Sequence, residues 1–120
     1  MSAKEILEKI VGIFNTGDVS EVESLFADTY IDHQKPDFIK VDGPKEFKQI
    51  VELARKSLSG LKVTIEDTIS EENKITARLH WLGVNSQGNK VHRETIDILL
   101  FENGKAVEHW GAEAWQTTEA

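Results

Sequence analysis

No cysteine occurs anywhere in the 120-residue chain, which excludes disulfide staples, thiol nucleophiles and Cys-ligated zinc. The absence fits a reducing compartment. Proline is nearly as scarce, with Pro36 and Pro44 alone, too few for a linker. No apolar run reaches the roughly 20 residues of a membrane-spanning helix. Met1-Ser2-Ala3-Lys4-Glu5 is not a basic segment leading into an apolar one, so no signal peptide is expected and a cytoplasmic protein with no membrane partner is the default. Positive charge is also short: 14 Lys and Arg against 21 Asp and Glu give a formal charge of −7, which repels phosphate backbones and makes nucleic acid an unexpected partner. Neither Gly-x-Gly-x-x-Gly, a phosphate loop ending in Lys-Ser or Lys-Thr, nor Gly-x-Ser-x-Gly is found, which disfavours nucleotide binding and serine-hydrolase chemistry. There is no internal repeat. The length suits a single domain over residues 1–120, able to bury roughly two-thirds of the surface of its unfolded chain.

What is present divides into helical and strand periods. Ser2 with Glu5 reads as a capping box, and Ile6, Leu7, Ile10, Val11 and Phe14 then recur at helical spacing until Asn15-Thr16-Gly17. A shorter helix is expected from Asp18, burying Val22, Leu25 and Phe26. The segment from Tyr30 to Pro36 is too polar and interrupted for a helix and reads as extended chain crossing the mouth of the domain. Asp42-Gly43-Pro44 opens a third helix whose stripe is Phe47, Ile50, Val51, Ala54 and Leu58, ended by Ser59-Gly60. From Leu61 the period changes to two, and four strands are expected, with hairpins at Ser70–Asn73, Asn85–Asn89 and Asn103-Gly104. Ile75, Ala77, Leu79 and Trp81 alternate with Lys74, Thr76, Arg78 and His80; past Ile96, apolar residues on both faces predict burial on both sides. Alternation in the last strand groups Val107, His109, Gly111, Glu113 and Trp115 against Ala106, Glu108, Trp110, Ala112 and Ala114. Helices first and a strand meander afterwards indicate an α+β fold with a curved, mainly antiparallel sheet. Its outer face is apolar enough to dimerise.

Chemically able residues cluster in a few places. None of the four histidines forms a helical zinc-type pair, so no metal site is expected. His33 lies on the crossing segment beside Tyr30 and Asp32; Arg78 and His80 share one strand face, as anion or carbonyl clamp and proton carrier. Asp97, flanked by Ile96, Ile98, Leu99 and Leu100, must be paired or shifted upward in pKa. His109 and Glu113 share a face of the last strand, while Trp110 reads as core or pocket wall.

Tyr30-Ile31-Asp32-His33, Asp42-Gly43-Pro44 with Phe47, Asp97 to Phe101, and Asn103 to Trp110 together resemble a SnoaL-like domain, within the superfamily of nuclear transport factor two and ketosteroid isomerase. The resemblance implies a conical α+β barrel wrapped around the N-terminal helices, a deep pocket between sheet and helices, and a homodimer through the sheet's outer face. It also implies polyketide cyclase-like chemistry, an intramolecular aldol closure by an acidic residue without cofactor. Such members often carry Asp one or four residues after the position of Trp110, where this chain has Gly111 and Ala114. In the limonene-epoxide-hydrolase-like branch an Arg-x-Asp pair would fall at Arg78-Leu79-His80, with the acid replaced by His. The function expected is a cofactor-independent acid–base enzyme of the cyclase or isomerase type, acting on a small, largely apolar carbonyl compound. Glu113, Asp97, His109 and His80 would move protons, and His33, Arg78, Tyr30 and Trp110 would hold the substrate. The alternative is a non-catalytic binder of a small hydrophobic metabolite.

Overall fold

The computed structural model describes residues 1–119. Both halves of the capping box form: Glu5 N–H donates to Ser2 Oγ, and Ser2 N–H to the Glu5 carboxylate, which starts α1 (Ala3–Thr16). Gly17, at φ 79°, closes that helix with its N–H on the Ile13 carbonyl. A single turn, α2 (Val22–Leu25), follows, and the chain enters β1 (Phe26–Asp32) earlier than the helical period implied. Phe26 therefore opens a strand instead of closing a helix. The start of the segment expected as extended chain is indeed extended and forms a sheet edge, with Ile31 and Asp32 paired parallel to Glu108 and His109. Tyr30 and Asp32 turn inward and Ile31 stays exposed, the alternation a strand requires.

Gly43 sets the start of α3 (Pro44–Ser57). Its N–H donates to the Tyr30 carbonyl, its φ is 71°, and a Cβ would stand 2.7 Å from the Asp28 carbonyl oxygen. Only glycine fits that approach. From there β2 (Ser59–Glu71), β3 (Lys74–Val84), β4 (Lys90–Glu102) and β5 (Lys105–Glu119) form an antiparallel meander, and the sheet order is β1-β5-β4-β3-β2. Asn103 (φ 52°) and Gly104 (φ 78°) make the tight turn expected of that pair.

The inner face of the curved sheet, with Val63, Ile75, Leu79 and Leu99, packs on α1 and α3 through Leu7, Val11, Phe14, Phe47 and Val51. Phe14 meets Phe47 and Trp81 edge-on, and Phe26 stacks on Phe47. Because the helices cover one face only, the outward residues in the second half of β4, Ile98 and Leu100, are half-buried where full burial was expected, and Ile96 before them is 38% exposed.

Strict alternation also fails twice in β5. Register shifts opposite Leu100/Phe101 and Glu94/Thr95 each insert an extra residue, at Val107 and Ala114. Between these bulges His109, Gly111 and Glu113 face inward, opposite Leu99, Asp97 and Thr95. Beyond them the faces exchange, so Ala106 turns inward and Trp115 outward, contrary to the expected groupings. Among the described residues no helix is long and apolar enough to cross a membrane.

Candidate active site

Between the inner sheet face and the helices lies a cavity of about 380 Å³. Its walls are largely apolar, with Leu7, Phe14, Leu58, Leu61, Leu79 and Leu99 among them, and polar groups converge from β1, β4 and β5. At their centre is His109. Its Nδ1 lies 2.7 Å from Asp32 Oδ1 and its Nε2 2.7 Å from Asp97 Oδ1. A ring with both nitrogens against carboxylates satisfies both contacts only when both are protonated. Burial works against the charged ring, yet the hydrogen bonds and charges of Asp32 and Asp97 outweigh it and hold the His109 pKa up to about 9. The cluster is therefore an imidazolium clasped by two carboxyl groups.

The chain of hydrogen bonds extends further. Trp81 Nε1–H donates to Thr95 Oγ1 (2.8 Å), which leaves the Thr95 hydroxyl proton for Asp97 Oδ2 (2.7 Å). Asp97 is thus held at both oxygens. Asp32 Oδ1 accepts from the Gln34 N–H (2.8 Å) as well as facing His109, while Asp32 Oδ2 takes no partner among the described residues. It is the one carboxylate oxygen of the cluster free to meet a ligand, and Asp32 lines the cavity. Tyr30 lines it too; burial, then the charges of Asp32, Glu46 and Asp97, raise its phenol well above the ordinary range, so it remains a neutral O–H donor. Behind the wall, Glu46 in the first turn of α3 is 1% exposed with neither oxygen hydrogen-bonded. Burial first, then the nearby Asp32, push it up to about 7.

Of the residues singled out from the sequence, His109, Asp97 and Tyr30 line this cavity. Glu113 does not. It stands at the rim, its side chain 48% exposed and 3.8 Å from Arg93 Nε. Arg78, His80, His33 and Trp110 lie on the outer face of the sheet, which removes them from this cavity. The inner positions of β3 are Ile75, Ala77, Leu79 and Trp81, so Arg78 turns out to pair with Glu94 (2.7 Å) and His80 to lie against His92 and Trp115. His33 stacks on Trp110 and meets Glu108 at 2.6 Å.

Sequence reasoning passed over Asp32, Gln34, Trp81, Arg93 and Thr95 as site residues, all of which line the cavity. For Asp32 a signal existed: in Tyr30-Ile31-Asp32 the two polar-tipped residues share a strand face. Among the described residues no group of three or more His, Asp or Glu is arranged to hold a metal ion.

The sequence profile of the SnoaL-like polyketide cyclase family matches residues 4–119. The chain belongs to that family. No curated protein matches it significantly. Among solved structures, this SnoaL-like chain is 26% identical to a candidate polyketide cyclase from Bacillus cereus, with a TM-score of 0.82 over 95% of this chain and 79% of that one. TsrD from Streptomyces laurentii is 19% identical, with a TM-score of 0.81 over 92% of this chain and 87% of that one. IdmH, a candidate polyketide cyclase from Streptomyces antibioticus, is 16% identical, with a TM-score of 0.82 over 95% and 93% of the two chains. At such identities TsrD and IdmH speak for the fold alone.

Within this SnoaL-like chain, Gly111 has a local cause. A Cβ at that position would run into the Gln34 side chain and come within 2.7 Å of Asp97 Oδ1. No acid can stand there while Gln34 keeps its place.

Proposed function

We propose that the protein is a cofactor-independent proton-transfer enzyme of the cyclase or isomerase type, acting on a small, largely apolar carbonyl compound. The observation that carries this reading is Asp32 Oδ2, the unpartnered oxygen of a carboxylate otherwise fixed by His109 and the Gln34 N–H, on a residue that lines an apolar cavity. Asp32 Oδ2 takes a proton from the carbon next to the substrate carbonyl, and the C–H electron pair moves into the enolate. The Tyr30 O–H donates a hydrogen bond to the developing oxyanion. His109 carries a positive charge that offsets one of the two carboxylates, so the cluster becomes neutral once Asp32 has taken the proton, and Asp97, held through Thr95 and Trp81, keeps the ring aligned. In an isomerisation the protonated Asp32 returns its proton to another carbon. In a ring closure the enolate carbon attacks a second carbonyl of the same molecule, and Asp32 protonates the resulting alkoxide. Glu113, at the rim, has no part in this scheme.

The test is exchange of the α-protons of 2-acetylnaphthalene in deuterated water, followed by NMR. Asp32→Asn should slow it by about 10²- to 10⁴-fold, the usual contribution of a positioned base. Exchange at the wild-type rate in that variant would remove Asp32 from the mechanism.

A second reading, a non-catalytic binder of a small hydrophobic metabolite, is favoured by the commitment of both His109 nitrogens to carboxylates, as in a structural ion pair. Saturable binding of the same ketone, with no exchange above the buffer rate, would support it.

A further inference from the structure

Arg93 takes no part in the proton transfer described above, yet it is the sole Lys or Arg among the described residues that line the cavity. It sits on β4 opposite Trp81, with its side chain 34% exposed, and so stands where the cavity meets solvent. The guanidinium is held by its back edge. Nε–H donates to Gln116 Oε1 at 3.0 Å, while the Glu113 carboxylate, at 3.8 Å from the same nitrogen, is beyond hydrogen-bond reach. Neither Nη group has an acceptor among the described residues. Arg78, by comparison, spends an Nη on Glu94 and Arg55 one on the Phe14 and Asn15 carbonyls.

A guanidinium fixed at Nε and open at its Nη fork matches the planar, bidentate geometry of a carboxylate. Along β4, Asp97 shares the inner face with Arg93, and at the strand rise the two Cα atoms are roughly 13 Å apart. Between these poles on β4 stands Thr95, its hydroxyl already committed to Trp81 and Asp97, and the surrounding wall is apolar, with Phe14, Leu58, Leu61 and Leu79. At the Asp97 end, two carboxylates around one imidazolium keep a single net negative charge, which disfavours a second full anion there. A ligand with a carboxylate therefore has one favourable orientation.

We propose that the cavity is built for an amphipathic keto acid: an apolar, ring-sized body whose carboxylate is held by the Arg93 fork at the mouth, with its carbonyl directed to Tyr30 and Asp32. The carbonyl end rests on the proton-transfer reading, whereas the carboxylate end stands on Arg93 alone. Arg93 is a substrate-positioning residue, and Glu113 and Gln116 limit how far it can swing.

Isothermal titration with 6-acetyl-2-naphthoate and with its primary amide tests this. The wild-type protein should bind the carboxylate about tenfold or more tightly than the amide, as charge-assisted hydrogen bonds imply. Arg93→Gln should erase that preference and Arg93→Lys keep part of it. Asp32→Asn should keep it in full, so that a failure of the proton-transfer reading and a failure of the clamp are separable. Equal affinity for the two probes, no binding of either, or an undiminished preference in Arg93→Gln would overturn the proposal.

Discussion

At the scale of single residues, two buried titratable groups give the protein a pH-dependent stability with one sign. His109 is held up to about 9 from an ordinary 6.5, and Glu46 up to about 7 from 4.5. A group whose pKa is higher in the folded chain stabilises it fully below the unfolded value and loses that contribution as pH rises through the folded one. Glu46 therefore weakens the fold across its window of 4.5 to about 7, and His109 across 6.5 to about 9. Urea midpoints should fall steadily from mildly acid to alkaline pH. Glu46→Gln should flatten the lower part of that decline and leave the upper part, because a neutral amide has no proton to lose; an unchanged lower slope would show that Glu46 is not the group responsible.

At the scale of elements, the chain shows which features can be read from pattern alone. The capping box at Ser2 and the Asn103-Gly104 turn are short-range chemistry, set by residues within one turn of each other, and both are where the sequence puts them; Gly43-Pro44 also opens α3 as read, although the need for glycine comes from Asp28 in β1. The inner and outer faces of β3 follow from its alternation for the same reason. Bulges are different. Nothing in Lys105 to Trp115 marks Val107 or Ala114 as the extra residue, because a bulge is chosen by the register of the neighbouring strand. His109 and Glu113 keep their shared face only because both lie between the two bulges. Site membership is harder still: Asp32 joins His109 through the parallel β1–β5 pairing, a contact between residues 77 positions apart. Arg78 and His80 carry chemistry on the face the helices leave open. Residue type alone could not say so.

At the scale of the whole molecule, that open face carries apolar side chains that no element among the described residues covers. Ile96 is 38% and Trp115 42% exposed, and the half-buried Ile98 and Trp110 lie on the same side of the sheet. We propose that a second copy of the chain packs here, outer face to outer face. Sedimentation velocity at micromolar concentration should report a dimer, and Ile96→Lys should shift it to monomer without loss of far-UV dichroism; a monomeric wild type would refute the pairing. The parallel edge strand carries a different implication, one for the order of events in refolding. The β2–β5 meander can zip through successive hairpins, each closing a short loop, whereas β1 must find β5 across most of the chain. In that order the Asp32–His109 contact forms only after β2–β5 have paired. Recovery of tryptophan fluorescence should accordingly precede recovery of ligand binding in a stopped-flow experiment, and simultaneous recovery would show that the edge docks with the nucleus. A chain that folds in this order passes through a stage in which the four-stranded meander is paired but the cavity, lacking β1, cannot yet hold its ligand.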